Sequence, residues 1–174
     1  YDVVIAGCGV AGLYTALHLD AGKRILMLSK EDLESCDSML AQGGICVLAD
    51  EADYDSYFED TMRAGHYENR RESVDIMLRG SRAVIDELLA LGVRFAKNAD
   101  GSLVYTREGA HSRARICYHK DITGKEITTK LLAQVRRLPN VAIMEYTVMT
   151  DLLARDGACF GILARSEEHT SELQ

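Results

Sequence analysis

Six residues, Gly7-Cys8-Gly9-Val10-Ala11-Gly12, set between two apolar runs, limit the folding of this chain more than any other feature. Before them, residues 2–7 (Asp-Val-Val-Ile-Ala-Gly) read as a short, fully buried strand. After them, residues 10–21 carry helix periodicity through Leu13, Ala16, Leu17 and Ala21, with Gly22 placed to cap the helix. Residues 25–29 supply a second buried strand. Strand, helix and strand within about 30 residues make a βαβ unit, whose right-handed crossover demands a parallel sheet. In that setting G-x-G-x-x-G is a dinucleotide-binding signature, although the six residues alone would equally suit a plain glycine-rich turn. Gly7 makes the tight turn, Gly9 admits a pyrophosphate to the backbone, and Gly12 lets helix and strand pack closely. The amides around Cys8, Val10 and Ala11 then face the phosphates at the positive end of the helix dipole.

The ribose end of the ligand is less orthodox. An acidic residue closing the second strand ordinarily holds the adenosine ribose. Here that strand ends in Ser29-Lys30, with Glu31 and Asp32 just beyond. A simple NAD fingerprint is weakened, and Ser29 or Lys30 is left to make the contact. For Lys30 the competing reading is an ordinary solvated lysine.

Further along, residues 31–50 show no periodicity, and a loop of that length inside a compact domain is usually functional. Tyr54, Tyr57, Phe58, Thr61 and Met62 mark one face of a helix ending near Gly65. A longer helix follows, with Val74, Met77, Leu78, Val84, Ile85, Leu88 and Leu89 on one stripe and Gly92 after its end. Such stripes are core faces far more often than cofactor contacts. Residues 93–106 read as two strands about a turn at 98–101, and 107–121 as a charged segment. Thr123 and Glu126 fit a capping box for a helix through Val135, before Pro139. Residues 141–146 read as a third parallel strand, and 148–154 with 158–164 as a hairpin about Arg155-Asp156-Gly157. The expectation is one α/β domain, Rossmann-like, with a parallel sheet and a β-hairpin near the C-terminus.

Composition removes several function classes. With 27 acidic and 20 basic residues, the net charge of −7 argues against a nucleic-acid or anionic-membrane partner. Apolar residues make up 47%, too many for a disordered chain. No apolar run reaches the roughly 18 residues that a membrane-crossing helix needs. The five cysteines are never spaced C-x-x-C, which argues against a disulfide framework or zinc ribbon and fits a reducing cytoplasm. His111 and His119 lack metal-ligand spacing, so no metal is expected and both read as structural. Residues 165–174 change character, and resemble the in-frame translation of a sequencing-adapter oligonucleotide. They are expected to be a non-native tail, an ordinary polar tail being the alternative.

Ser38-Met39-Leu40-Ala41-Gln42-Gly43-Gly44-Ile45, some 25 residues after the glycine loop, makes a family resemblance specific. Ser-x-x-Ala-Gln-Gly-Gly-Ile resembles the flavoproteins of the succinate dehydrogenase, fumarate reductase and L-aspartate oxidase group. Thr106-Arg107-Glu108-Gly109-Ala110-His111-Ser112, followed by Arg115 and Asp121-Ile122-Thr123-Gly124-Lys125-Glu126, is similar to the aspartate oxidase branch. The likeness covers residues 1 to about 164. It implies FAD as the cofactor, wrapped by Asp37, Ser38, Ala41, Gln42, Gly43 and Gly44. Gln42 would bond the flavin ring, although Gln42 and the two glycines also read as a plain turn. Asp37 falls where dehydrogenases of this group carry the histidine that bonds covalently to FAD, so the flavin is expected to be non-covalent. Asp37 departs from the Asn or Ser expected there in an oxidase, and Asp37→Asn is expected to keep or raise FAD affinity. Val148 and Met149 correspond to main-chain contacts at the adenosine end.

The resemblance also assigns Glu108, as the candidate catalytic-site residue, to recognition of a substrate amino group. Without the family, a surface ion pair with a neighbouring arginine is the simpler reading. What the resemblance implies is oxidation of L-aspartate to iminoaspartate for NAD biosynthesis, with oxygen or fumarate as electron acceptor and quinolinate synthase as a partner. Two alternatives stay open: a fumarate reductase or succinate dehydrogenase flavoprotein, and a non-catalytic dinucleotide-binding module. In this family the general-acid arginine and the dicarboxylate-binding residues lie beyond residue 164. The chain is therefore expected to be the N-terminal part of an FAD-binding domain, incomplete and inactive by itself.

Overall fold

In the computed structural model, which describes residues 1–167, the chain begins with β1 (Val3–Ala6), α1 (Val10–His18), β2 (Ile25–Leu28), α2 (Asp37–Leu40) and β3 (Ile45–Cys46). A 3-10 turn at Glu51–Asp53 leads into α3 (Tyr54–Ala64) and α4 (Arg71–Ala90). Then come β4 (Tyr105–Thr106), β5 (Ile116–Cys117), α5 (Thr123–Val135), β6 (Val141–Met144), β7 (Thr147–Arg155) and β8 (Ala158–Ser166). The single domain expected is divided into two compact units: residues 1–40 with the chain from Leu131 onward, and residues 41–130, inserted between them in sequence.

The first unit contains the βαβ motif that its apolar runs require. Strands β1 and β2 pair in parallel from Val3 opposite Ile25 to Ala6 opposite Leu28, and β6 pairs in parallel with the other edge of β2. Central β2 buries Ile25, Met27 and Leu28, while Leu13 of α1 is fully enclosed. Each such side chain stabilises the sheet–helix contact by roughly 1.5–3 kcal/mol. Helix α1 stops at His18, three residues before the expected Ala21. Asp20 Oδ1 accepts from Gly22 N at 2.7 Å, so an Asx turn reverses the chain and Gly22 is no helix cap.

Strands β7 and β8 form the expected hairpin, with Arg155 opposite Ala158 and only Asp156-Gly157 between them. Both turn residues have positive φ, 51° and 76°, which matches strand twist as a type I′ turn does. Val148 pairs with Arg165 and Thr147 with Ser166, so the strand runs past the change of sequence character at Arg165. Residues 168–174 of the expected tail lie outside the described residues.

In the second unit, α3 and α4 pack through Tyr57, Met62, Val74 and Leu78, joined by Leu48 from the preceding loop. Met77, expected in that core stripe, is instead 48% exposed. Residues 31–50 are more ordered than their lack of pattern suggests, since α2 and β3 form within them. Of the two strands expected over 93–106, the first is reduced to a single bridge between Lys97 and Leu103. The second is β4. It pairs antiparallel with β5, whose other edge takes β3, giving the order β3-β5-β4. No capping box closes around α5. Thr123 Oγ1 accepts from His119 N at 2.9 Å, and Glu126 Oε1 accepts from Arg94 N at 3.0 Å. Both side chains tie neighbouring segments to the helix start instead.

Candidate cofactor and substrate sites

The glycine loop behaves as its spacing requires. Gly7 sits at φ 107°, in the left-handed region that favours glycine, and its amide donates to Leu28 O at 2.8 Å. A Cβ at Gly12 would collide with the Gly7 carbonyl oxygen, so helix and loop are in backbone contact there. At Gly9 a Cβ would lie 2.9 Å from Ser38 Oγ, and that hydroxyl accepts from Val10 N at 3.1 Å. Ser38 therefore meets the first amide of α1, while Ala11 follows on an exposed position of the same turn.

A cavity of about 470 Å³ opens on this loop, lined by Gly7, Cys8 and Gly9, by Ser29 and Lys30 after β2, and by Asp37 and Ser38 of α2. Seven of the expected cofactor-binding residues thus share one wall system. Ser29 is buried and fixed by its backbone, accepting from Thr147 N and donating to Met144 O, both at 2.8 Å. Burial and the neighbouring Cys36 and Glu145 push the Cys8 thiol up to about 11, so it stays protonated and serves as packing. Asp32 also lines the cavity, but its carboxylate accepts from Glu34 N (2.8 Å) and Ser35 Oγ. It is spent on its own turn. Val148 is half-buried in β7, and Met149 lines a different cavity, of about 510 Å³, with Val3, Val4 and Phe160. Neither is brought to the wall that holds the glycine loop.

The remaining expected residues lie in the second unit. Ala41 O accepts from Gly124 N at 2.9 Å, which anchors the stretch before Gln42 to the start of α5. Gln42 is exposed. A Cβ at Gly43 would come within 3.2 Å of Glu108 Oε2, so the carboxylate rests against this backbone. Gly44 is held so tightly to β5 that a Cβ would collide with Ile116 Cγ2 and Cys117 O. Glu108 is exposed, and it lines a cleft of about 450 Å³ with Arg107, Gly109, Ala110 and His111. Among the described residues it makes no ion pair, because Arg113 reaches Asp53 (3.4 Å) and Arg115 turns inward. The surface ion pair weighed above is not formed.

Arg115 is the residue the sequence hid. Only 1% of it is exposed, yet every donor has a partner. Nε and Nη2 donate to Asp53 at 2.7 and 2.9 Å, Nη2 also to Ser56 Oγ at 2.7 Å, and Nη1 to Asp60 Oδ2 at 2.7 Å. Asp60 Oδ2 further accepts from Ser112 N and Oγ, both at 2.7 Å. The knot pins the Glu108 segment to α3. Hydrogen bonds from Arg115 hold the Asp53 carboxyl low. Burial works to raise Asp60, but Ser112 and Arg115 overcome it and hold that carboxyl well below the usual range. A sequence signal did exist: Asp53 and Asp60, seven apart, share one helical face beside the apolar residues of α3.

Comparison with known proteins agrees with the glycine loop and the fold. A sequence model of the FAD binding domain matches residues 2–174. An L-aspartate oxidase of Clostridium perfringens is 46% identical over 162 residues, covering 93% of this chain and 37% of that protein. One of Clostridium acetobutylicum is 45% identical over 163 residues, covering 94% and 38%. The chain thus spans under two-fifths of the length of these relatives. A quinol fumarate reductase of E. coli superposes with a TM-score of 0.89 at 24% identity, over 94% of this chain and 28% of that one, which shows a shared fold. Glycine loop, sheet order and these likenesses together place the chain in the FAD binding domain family of flavin-dependent oxidoreductases, with L-aspartate oxidases among its homologues.

Proposed function

We propose that the enzyme of which these residues form the N-terminal part oxidises L-aspartate to iminoaspartate, feeding NAD biosynthesis. One observation carries the reading: an exposed, unpaired Glu108 carboxylate beside Gly43, on a segment that Arg115 holds rigid. A fixed carboxylate there suits the ammonium group that separates aspartate from succinate, since an unpaired ammonium in a closed site is costly. The residues present fit a flavin dinucleotide. Gly9 leaves the backbone open where a Cβ would meet Ser38, and Val10 and Ala11 begin a nine-residue helix directly after the three loop residues that line the cavity. Gly7 to Gly12, Ser29, Lys30, Asp37 and Ser38 would hold the FAD non-covalently at its dinucleotide end. Ala41, Gln42, Gly43 and Gly44 would serve the ring, and Val148 and Met149 the adenosine by their main chain. When bound, the flavin supplies the two-electron acceptor, and oxygen or fumarate takes the electrons on. Quinolinate synthase is the proposed recipient of the labile imine. Five free thiols suit a cytoplasmic setting.

Residues 1–174 alone are expected to be inactive, and 165–174 to be a foreign tail. Sequencing the source DNA past Ala164 tests the tail. Expressing the complete reading frame tests the activity: bound FAD with aspartate-dependent peroxide is the expected result. Peroxide with succinate instead would reassign the enzyme to the fumarate reductase and succinate dehydrogenase branch. Bound flavin without turnover would leave a binding module.

A further inference from the structure

His111 lies between two partners of opposite character. Arg115 Nη1 stands 3.0 Å from its Nδ1, and Cys46 Sγ stands 3.2 Å from its Nε2. A guanidinium can only donate, so Nδ1 must offer a lone pair. The ring proton then sits on Nε2, directed at the sulfur. We propose that Arg115 is a positioning residue that locks His111 in the neutral Nε2–H tautomer, making it a fixed, non-ionising hydrogen-bond donor on the segment that carries Glu108.

The surroundings leave no competing arrangement. Arg115 cannot swing away, because Asp53, Ser56 and Asp60 hold its other nitrogens. Tyr57 of α3 packs edge-on against the imidazole at 5.9 Å between centroids, and the guanidinium lies over the same phenol ring at 4.9 Å. The charged or titratable groups facing His111 are Arg115 at Nδ1, Cys46 and Tyr57 from β3 and α3, Asp53 and Asp60 behind the guanidinium, and Glu108 on its own segment. Burial and Arg115 disfavour the imidazolium, and the three carboxylates oppose them more weakly. Burial also keeps the Cys46 thiol protonated, so no thiolate draws a second proton to the ring. His111 lines both the Glu108 cleft and an apolar cavity of about 720 Å³ beside α4. The consequence for the site follows from the aspartate reading: no imidazolium forms three residues from Glu108, so its carboxylate keeps its charge free for a substrate ammonium.

Long-range ¹H–¹⁵N spectra of the 174-residue chain test the lock without flavin or substrate, so this inference and the aspartate reading fail separately. The His111 signals are assigned by their loss in His111→Gln. From about pH 5 to about pH 8, His111 is expected to show a bare Nδ1 and a protonated Nε2 with no titration step. A proton on Nδ1, or an imidazolium forming within that range, would overturn the proposal. In Arg115→Lys the planar fork is lost, and a titration step or a mixture of tautomers is expected. Should that variant not fold, Cys46→Ala decides: the tautomer is expected to persist, and a flip would show that the thiol, not the guanidinium, sets it.

Discussion

Around Gly7–Gly12 the structure relies on backbone atoms, whereas around Arg115 it relies on side chains drawn from 53 to 115. In the glycine loop, what matters is what is missing: no Cβ at Gly12, where one would strike Gly7 O, and none at Gly9 against Ser38. In the Arg115 knot, what matters is a full complement of acceptors, two carboxylates, the Ser56 hydroxyl and His111 Nδ1 saturating one buried guanidinium. The first design fails through added volume and the second through removed charge.

The sharpest way to break this comparison is Arg115→Met. It takes from Asp53 and Asp60 their buried counter-charge and leaves them only the solvent-exposed Arg113 (3.4 Å) and Arg63 (2.6 Å), and removing one partner of a buried pair costs about 3–5 kcal/mol. Against typical domain stabilities of about 5–15 kcal/mol, that is a severe loss. It is read as a fall in the urea midpoint. An unchanged midpoint would mean that the knot does not hold the second unit.

Acid should act in the same direction. Both carboxyls are held below the roughly 3.9 of an unfolded aspartate, so the unfolded chain binds more protons as the pH falls through that window. The stability they contribute is complete above the unfolded value and is lost as pH drops through the folded values. His111, held below its ordinary value of about 6.5, adds a loss that begins at higher pH. Urea midpoints should therefore decline as the pH falls below the roughly 6.5 of an unfolded histidine, and more steeply below the roughly 3.9 of an unfolded aspartate. Asp60→Asn should flatten the lower limb, and an undiminished slope there would point to other carboxylates.

Chain order explains why one site was legible and the other was not. The glycine loop, its flanking strands and the type I′ hairpin are local: each is marked by a short run of consecutive residues of one character. Membership of β6 in the parallel sheet was readable too, because it is a short apolar run like β1 and β2, whereas its place beside β2 came from the fold. The antiparallel trio β3-β5-β4 was not, since each strand has only two residues, too few to show a period, and the paired residues lie 10 to 72 positions apart. Arg115 read as one more charge in a polar segment, because burial depends on Asp53 and Asp60 arriving from α3 and the turn before it. Glu108 lay between these cases, as its chemistry came from a resemblance and its placement against Gly43 from the fold.

Gly12→Ala tests the other half of the comparison at smaller scale. The added methyl meets backbone rather than a yielding side chain, and overpacking of that kind costs about 1–3 kcal/mol. Thermal unfolding should show the loss. A flavin titration of the complete enzyme should show weakened binding beyond it, if the loop that moves is the one that holds the phosphates, as proposed. Full affinity at reduced stability would mean that the glycines serve packing alone.

The smallest effect isolates burial itself. Arg82 and Asp86, four apart on α4, make the same charge pairing at 3.3 Å, but their side chains are 52% and 56% exposed. Water already solvates both groups, so neither is stranded when its partner is removed, and an exposed helical pair contributes about 0.3–0.5 kcal/mol. Asp86→Ala should thus cost roughly a tenth of Arg115→Met, and salt should erase most of it. A double-mutant cycle on each pair makes the contrast quantitative. If the Arg82–Asp86 coupling equalled that of Arg115–Asp60, the strength of the knot would lie in charge pairing as such. The expected gap places it in desolvation, the one property in which the two pairs differ most.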